Sequence, residues 1–230
     1  MKAKKPVIDE KYKGKLFLTS NGYRDKEENQ NFNNLLKACT GMGVNALFVN
    51  NSTLTGHNQM NTPLIMKFMQ DNGAVVQEVT LNVGNLDMIK NFDVVYFAGG
   101  DIAPLFELAN NSNLEQVMLS YLQNGGVVFG ESAGAIVFTE SCENVWKLKR
   151  MLADNKGKYA DDLPSFKGLG FVDLNFYPHW NYLTQEQKAK AEQYAEVYKI
   201  KITALNDGQW LEYGIKDILM QIVRRKMHRR

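Results

Sequence analysis

The sequence predicts an α/β fold in which a parallel sheet is covered by helices on both faces. Three observations carry that prediction. Apolar, strand-like runs alternate with segments of helical spacing along most of the chain. The strand-like runs are nearly continuously apolar, as in residues 15–20 (KLFLTS), 44–50 (VNALFVN) and 93–97 (DVVYF). Such runs fit strands buried on both faces better than half-exposed ones. Finally, the apolar run Val127-Val128-Phe129 leads straight into Gly130-Glu131-Ser132-Ala133-Gly134, the Gly-x-Ser-x-Gly form of a strand-to-helix elbow.

The elements follow in order. The strand at 15–20 is broken by Asn21-Gly22. Residues 29–39 place Phe32, Leu35, Leu36 and Cys39 at helical spacing, and Gly41 and Gly43 end that helix. After the strand at 44–50 comes a polar loop, 51–61, which contains His57. Pro63 suits the first turn of a helix whose apolar positions are Leu64, Ile65, Phe68 and Met69. A third strand is predicted at 74–81, a short helix at 85–91 and a fourth strand at 93–97, which ends in Ala98-Gly99-Gly100-Asp101. Two helical runs, 102–109 and 114–122, precede the elbow strand.

Residues 142–167 are charged and without clear period, and are expected to form an irregular or lid-like excursion. Strand character resumes at 168–176, ahead of Tyr177-Pro178-His179-Trp180. Thr184-Gln185-Glu186-Gln187 has the form of a capping box, which predicts a helix to about residue 198. Residues 201–205 (KITAL) read as a strand, Asn206-Asp207-Gly208 as a turn, and 209–213 as a returning strand.

Composition narrows the function. The chain has 230 residues, 44% of them hydrophobic, which suits one domain over 1–230. Its 27 basic and 25 acidic residues nearly cancel, so no nucleic-acid partner is expected. The basic residues at both ends, Lys2, Lys4 and Lys5, then Arg224, Arg225, Lys226, Arg229 and Arg230, read as flexible solvated termini, 1–14 and 224–230. No apolar core follows the basic start and no run is long enough to cross a bilayer, so neither a signal peptide nor a membrane partner is expected. Cys39 and Cys142 have no metal-ligand spacing and read as core thiols of a cytoplasmic protein. No metal or organic cofactor is implied.

The chemistry gathers around the elbow. A serine on such a turn stands at the carboxyl edge of the sheet, where ligands of parallel sheets bind. The Ala133 amide then points at a developing oxyanion. A serine hydroxyl needs a base, and the base gains from an orienting carboxylate. His179 follows a predicted strand at the same sheet edge, whereas His57 lies upstream in the polar loop and His228 in the basic tail. Asp207, closing the strand at 201–205, is the leading third member. A plain Asn-Asp-Gly turn also explains its residue type, and Asp173 and Glu131 are weaker competitors. The Gly99-Gly100 turn lets a backbone amide approach a ligand closely and supplies a second oxyanion donor. Without Gly-Lys-Ser/Thr or Gly-x-Gly-x-x-Gly, it is not a nucleotide loop.

Four blocks, Phe97-Ala98-Gly99-Gly100-Asp101, Gly130-Glu131-Ser132-Ala133-Gly134-Ala135, Tyr177-Pro178-His179-Trp180 and Leu205-Asn206-Asp207-Gly208, resemble the peptidase E and cyanophycinase family of serine peptidases. The resemblance runs from residue 15 to 213. It implies a three-layer α/β/α sandwich with a flavodoxin-like, mostly parallel sheet related to class I glutamine amidotransferases. It also implies Ser132 as nucleophile, His179 as base, Asp207 as the acidic member, and Gly100 and Ala133 as oxyanion donors. The expected substrate is a short peptide, with Asp-Xaa dipeptides suggested by peptidase E, and the expected assembly a monomer or homodimer. Glu131 and Gly-Gly-Asp-Ile depart from the peptidase E pattern. An acidic substrate side chain would need a cation, and Lys147, Lys149 and Arg150 stand in the right stretch.

Two other readings compete. Gly-Glu-Ser-Ala-Gly also occurs in esterases of the α/β-hydrolase type, but there the acid lies between serine and histidine, and here it follows the histidine. A non-catalytic scaffold that binds a ligand or partner is the other, and an intact Ser-His-Asp set argues against it.

Overall fold

The computed structural model describes residues 8–53, 61–153, 163 and 165–228. His57 lies outside them. A 3-10 turn, Glu10–Tyr12, leads into β1 (Lys15–Thr19). The chain continues through α1 (Gln30–Cys39), β2 (Asn45–Val49), α2 (Asn61–Asp71), β3 (Val75–Val79) and β4 (Val94–Phe97). Then come α3 (Ala103–Asn111), α4 (Leu114–Gln123), β5 (Val127–Glu131) and the single-turn α5 (Ala133–Ile136). The last third comprises α6 (Glu143–Leu152), β6 (Asn175–Tyr177), α7 (Gln185–Tyr198), β7 (Ile202–Ala204), β8 (Trp210–Gly214) and α8 (Ile215–His228).

Six strands form the main sheet in the order β3-β2-β4-β5-β1-β8. The first five are parallel, and β8 closes the β1 edge antiparallel. Strands β1, β2, β4 and β5 are buried along nearly their whole length, as the continuous apolar runs predict. Each face carries its own core. On one side Phe17, Phe48, Tyr96 and Phe129 meet Phe32, Leu36, Ile65 and Met69 of α1 and α2. On the other, Leu18, Leu47, Val95 and Val128 meet Leu105, Met118, Ile136 and Ile218 of α3, α4, α5 and α8. The result is a three-layer α/β/α sandwich of flavodoxin-like form.

A smaller unit sits beside this sandwich. β6 and β7 pair with each other in a separate parallel sheet, not with the main one. Val145 and Leu148 of α6, Tyr177 of β6, and Ala191 and Tyr194 of α7 form its core. The capping box of α7 is present: Thr184 Oγ1 accepts from the Gln187 amide and Gln187 Oε1 accepts from the Thr184 amide.

Three expectations are corrected. Residues 143–152, expected to be irregular, are a helix, because Val145, Trp146 and Leu148 bury one face while Lys147 and Lys149 take others. Residues 154–162 and 164 of the expected lid lie outside the described residues. The strand expected at 168–176 shrinks to Asn175–Tyr177, since the backbone at 168–172 instead bonds to the segment after α5. Residues 224–228, expected as a flexible end, continue α8, which Ile218 and Ile222 anchor to the core; Arg225 reaches Glu115. At the other end, Ile8 is buried and residues 10–12 are turned.

Candidate active site

The elbow forms because its glycines let backbone pack on backbone. A Cβ on Gly130 would press into the Gly134 carbonyl, and one on Gly134 would collide with the Phe97 carbonyl at the end of β4. Ser132 itself takes φ 49° and ψ −108°, a conformation that costs a non-glycine residue about 1–3 kcal/mol. Its amide donates to the Thr19 carbonyl of neighbouring β1, which holds the turn against the sheet. α5 then starts at Ala133.

His179 arrives from the smaller unit. It stands two residues beyond the end of β6, in the left-handed region at φ 63°, and begins the 3-10 turn Trp180–Tyr182. Its backbone is pinned from two sides: its amide donates to Ser20 Oγ at 2.7 Å, and its carbonyl accepts from the Tyr182 amide. The imidazole lies between the other two expected residues, with Nε2 3.0 Å from Ser132 Oγ and Nδ1 2.8 Å from Asp207 Oδ1. Asp207 is buried at the turn after β7. Its amide donates to Asn181 Oδ1, and the next amide, Gly208, donates to Asn21 Oδ1. Burial pushes the Asp207 carboxyl up, but hydrogen bonds and charge from His179, with hydrogen bonds from Ser20 and Tyr182, outweigh it and hold the group below its usual range. The competitor Asp173 is absent from this arrangement. Glu131 adjoins it, on the opposite side of Ser132 in the chain.

A cleft of about 590 Å3 opens over Ser132, with His179, Asp207, Gly100 and Ala133 on its walls. Among the described residues the Gly100 and Ala133 amides have no hydrogen-bond partner. Of the cations expected near the site, Lys149 lines the cleft with its ammonium over the Tyr177 ring. Lys147, which pairs with Glu143, and Arg150 do not line it. Cys142 also lines it, but burial pushes its thiol up to about 12. No cluster of three or more His, Cys, Asp or Glu side chains is gathered as a metal site among the described residues. No described helix is long and apolar enough to cross a membrane.

Sequence reasoning missed Ser20 and Arg24. Ser20 is fully buried; it accepts from His179 and donates to Asp207 Oδ1 at 2.8 Å. Arg24 lines the cleft and pairs with Glu131. No residue-type signal marked either; the strand order is what brings them here. They follow the carboxyl end of β1, the strand that pairs with the elbow strand in the register Thr19↔Glu131.

The fold and the hydrogen-bonded side chains define a class: α/β proteins with a serine, a histidine and an aspartate in hydrogen-bond contact at the carboxyl edge of a parallel sheet. The profile of peptidase family S51 matches residues 16–220, and the chain belongs to that family, the peptidase E group. An uncharacterized peptidase of Bacillus subtilis (strain 168), YgaJ, is 30% identical over 138 residues, 60% of this chain and 54% of that protein. The uncharacterized peptidase Lmo0363 of Listeria monocytogenes is 25% identical over 119 residues, 50% of this chain and 55% of that protein. The chain thus spans about half the length of the curated relatives it matches. Among solved structures, a Listeria monocytogenes EGD-e protein provisionally assigned to peptidase E superposes with a TM-score of 0.62 at 18% identity, covering 87% of this chain and 98% of that one. A peptidase from an acI-B1 Actinobacterium gives 0.60 at 19% identity, covering 88% and 84%. Both likenesses concern the fold.

Proposed function

We propose that the protein is a serine peptidase that hydrolyses short peptides through Ser132, His179 and Asp207. The observation that carries this reading is the pair of distances at one imidazole, 3.0 Å to Ser132 Oγ and 2.8 Å to Asp207 Oδ1. In this mechanism His179 Nε2 takes the Ser132 proton as Oγ attacks the scissile carbonyl. Asp207 holds Nδ1–H toward itself and stabilises the imidazolium. The tetrahedral oxyanion is met by the amides of Gly100 and Ala133. His179 then hands its proton to the leaving amine, and the C–N bond breaks to give an acyl-enzyme. Water, deprotonated by His179, attacks the ester carbonyl and releases Ser132.

The finer proposal is an Asp-Xaa dipeptide substrate. It rests on the peptidase E membership and on cations in the cleft wall, Arg24 and Lys149.

The test is hydrolysis of a dipeptide and short-peptide library, read by mass spectrometry of new amino termini, with Ser132→Ala beside the native protein. Removing the nucleophile should lower kcat by about 10^4-fold or more. A fluorophosphonate should label native Ser132 and not the variant. Full activity in Ser132→Ala would end the mechanism. Cleavage confined to Asp-Xaa would support the finer proposal, and cleavage of other peptides only would replace it.

A further inference from the structure

Two departures from the peptidase E pattern, Glu131 before the elbow serine and Asp101 after the double glycine, meet at one turn, residues 98–101. A glycine pair has no side chains to hold its conformation, so the place of this turn depends on its hydrogen bonds. The Ala98 amide donates to the Val49 carbonyl at 3.0 Å, and the Asp101 amide to the Ser52 carbonyl at 2.8 Å. Asp101 Oδ1 accepts from the Ala103 amide as α3 begins. Between these anchors the Gly99 amide donates to a side chain, Glu131 Oε2, at 3.5 Å. The next amide, that of Gly100, has no partner among the described residues, and Gly100 lines the cleft over Ser132.

The Gly99 bond is longer than the usual N–H···O range of about 2.7–3.2 Å, so its grip depends on a carboxylate that is itself fixed. Glu131 meets that condition. It ends β5 and is almost fully buried. The same Oε2 accepts from Tyr96 Oη at 3.1 Å. Tyr96 stands on β4, the strand that runs into the turn and pairs with β5 in the register Phe97↔Gly130. One carboxylate oxygen from β5 therefore joins β4 to the turn that follows it. Gly22 lets the chain close over this junction, because a Cβ there would strike Tyr96 Oη and lie 3.0 Å from Glu131 Oε2. Burial of this kind strengthens each bond by lowering the local dielectric. The other oxygen, Oε1, faces Arg24 Nη2 at 3.7 Å. That cation offsets a negative charge that would otherwise oppose an oxyanion nearby.

We propose that Glu131 is a positioning residue of the oxyanion site. It bridges Tyr96 and the Gly99 amide, and so fixes the Gly100 amide against Ser132. The residue that precedes the nucleophile in the chain aligns the donor contributed by the neighbouring strand. Glu131 touches no reacting atom itself. This rests on the peptidase reading and adds to it a residue with a defined task.

The experiment compares the native protein with Glu131→Ala, Glu131→Gln and Tyr96→Phe, each checked for folding by circular dichroism. Glutamine keeps one oxygen for Tyr96 and Gly99. Tyr96→Phe keeps the carboxylate but frees it to swing, and serves as the test if Glu131→Ala does not fold. Hydrogen exchange at the Gly99 amide, read by NMR, reports the turn without any reaction. The second-order rate of Ser132 labelling by a fluorophosphonate reports the oxyanion site, which the phosphoryl oxygen occupies, without reference to peptide preference. In Glu131→Ala the Gly99 amide should exchange faster, and labelling should slow by about 10- to 100-fold, the effect of a misplaced donor. Tyr96→Phe should move both in the same direction, and Glu131→Gln should recover part of both. The pH midpoint of labelling, set by His179, should not move, whereas a general loosening of the site would shift it. Unchanged Gly99 exchange, unchanged labelling beside faster exchange, or a pH midpoint that shifts with the rate would overturn the proposal. Faster Gly99 exchange in Glu131→Ala, with no labelling of native Ser132, would instead uphold the tie between Glu131 and the turn and sink the peptidase reading.

Discussion

Ser20 ties two residues of the candidate site together through a single buried side chain. One hydroxyl accepts from the His179 amide and donates to Asp207 Oδ1, so the main sheet holds both partners of Ser132 in register. Ser20→Ala removes both contacts from a fully buried position and should cost about 1–3 kcal/mol, read as a lower urea midpoint. It should also lower kcat/KM by about tenfold or more through misplacement of the imidazole, with Ser20→Thr restoring part of the loss. A stability loss with unchanged kinetics would confine Ser20 to a structural role. At this scale the sequence was legible where chemistry constrains residue type. Ser132, His179 and Asp207 could be singled out because few residue types suit the expected chemistry at strand ends, and the structure brings the three into hydrogen-bond contact. Ser20 and Arg24 could not, since a serine before Asn-Gly and an arginine in a loop are ordinary, and only the strand order brings them to the elbow.

Among elements, those set by local rules were the readable ones. The buried strands and the capping box of α7 follow from composition and side-chain chemistry over a few residues. α6 was hidden because Lys149 falls between Val145 and Trp146 around the helix and interrupts the apolar face that Val145, Trp146 and Leu148 bury. α8 was hidden by its basic end. Yet Arg225 is no solvated terminus: its guanidinium is mostly buried, donating to Glu115 Oε1 at 2.9 Å and to the Leu169 carbonyl at 3.2 Å. Arg225→Ala should therefore destabilise by about 1–3 kcal/mol, while Arg224→Ala, at an exposed position, should stay within about 0.5 kcal/mol. Urea titration of the two variants checks this, and equal midpoints would mean that α8 docks by its apolar residues alone. The separation of β6 and β7 from the main sheet was not legible at all, because a three-residue strand carries no mark of its partner.

For the whole molecule, the hydrogen-bonded Ser132, His179 and Asp207 link the smaller unit to the sandwich, and the charge of Asp207 links pH to stability. Asp207 is held below its ordinary value of 3.8 in the folded protein. A depressed carboxyl contributes stability that is fully present above the unfolded value and is lost as pH falls through the folded one. Between those two values the unfolded chain binds the extra proton, so stability rises with pH there. Asp207→Asn should therefore flatten the stability-versus-pH curve below about pH 4 relative to the native protein. Denaturation midpoints across pH 2–6 would show it, and parallel curves for the two proteins would mean that the carboxyl gains nothing on folding.

The hydrogen-bonded chain of Ser20, Ser132, His179 and Asp207 draws on positions spread over most of the polypeptide. During synthesis the elbow leaves the ribosome long before its base, and the base before its orienting acid. Until Asp207 has cleared the exit tunnel and β7 has paired with β6, a growing chain holds a serine with no complete relay. Under the proposed mechanism, the order of residues along the chain keeps every unfinished copy inert and makes the onset of hydrolysis a clock for the completion of folding.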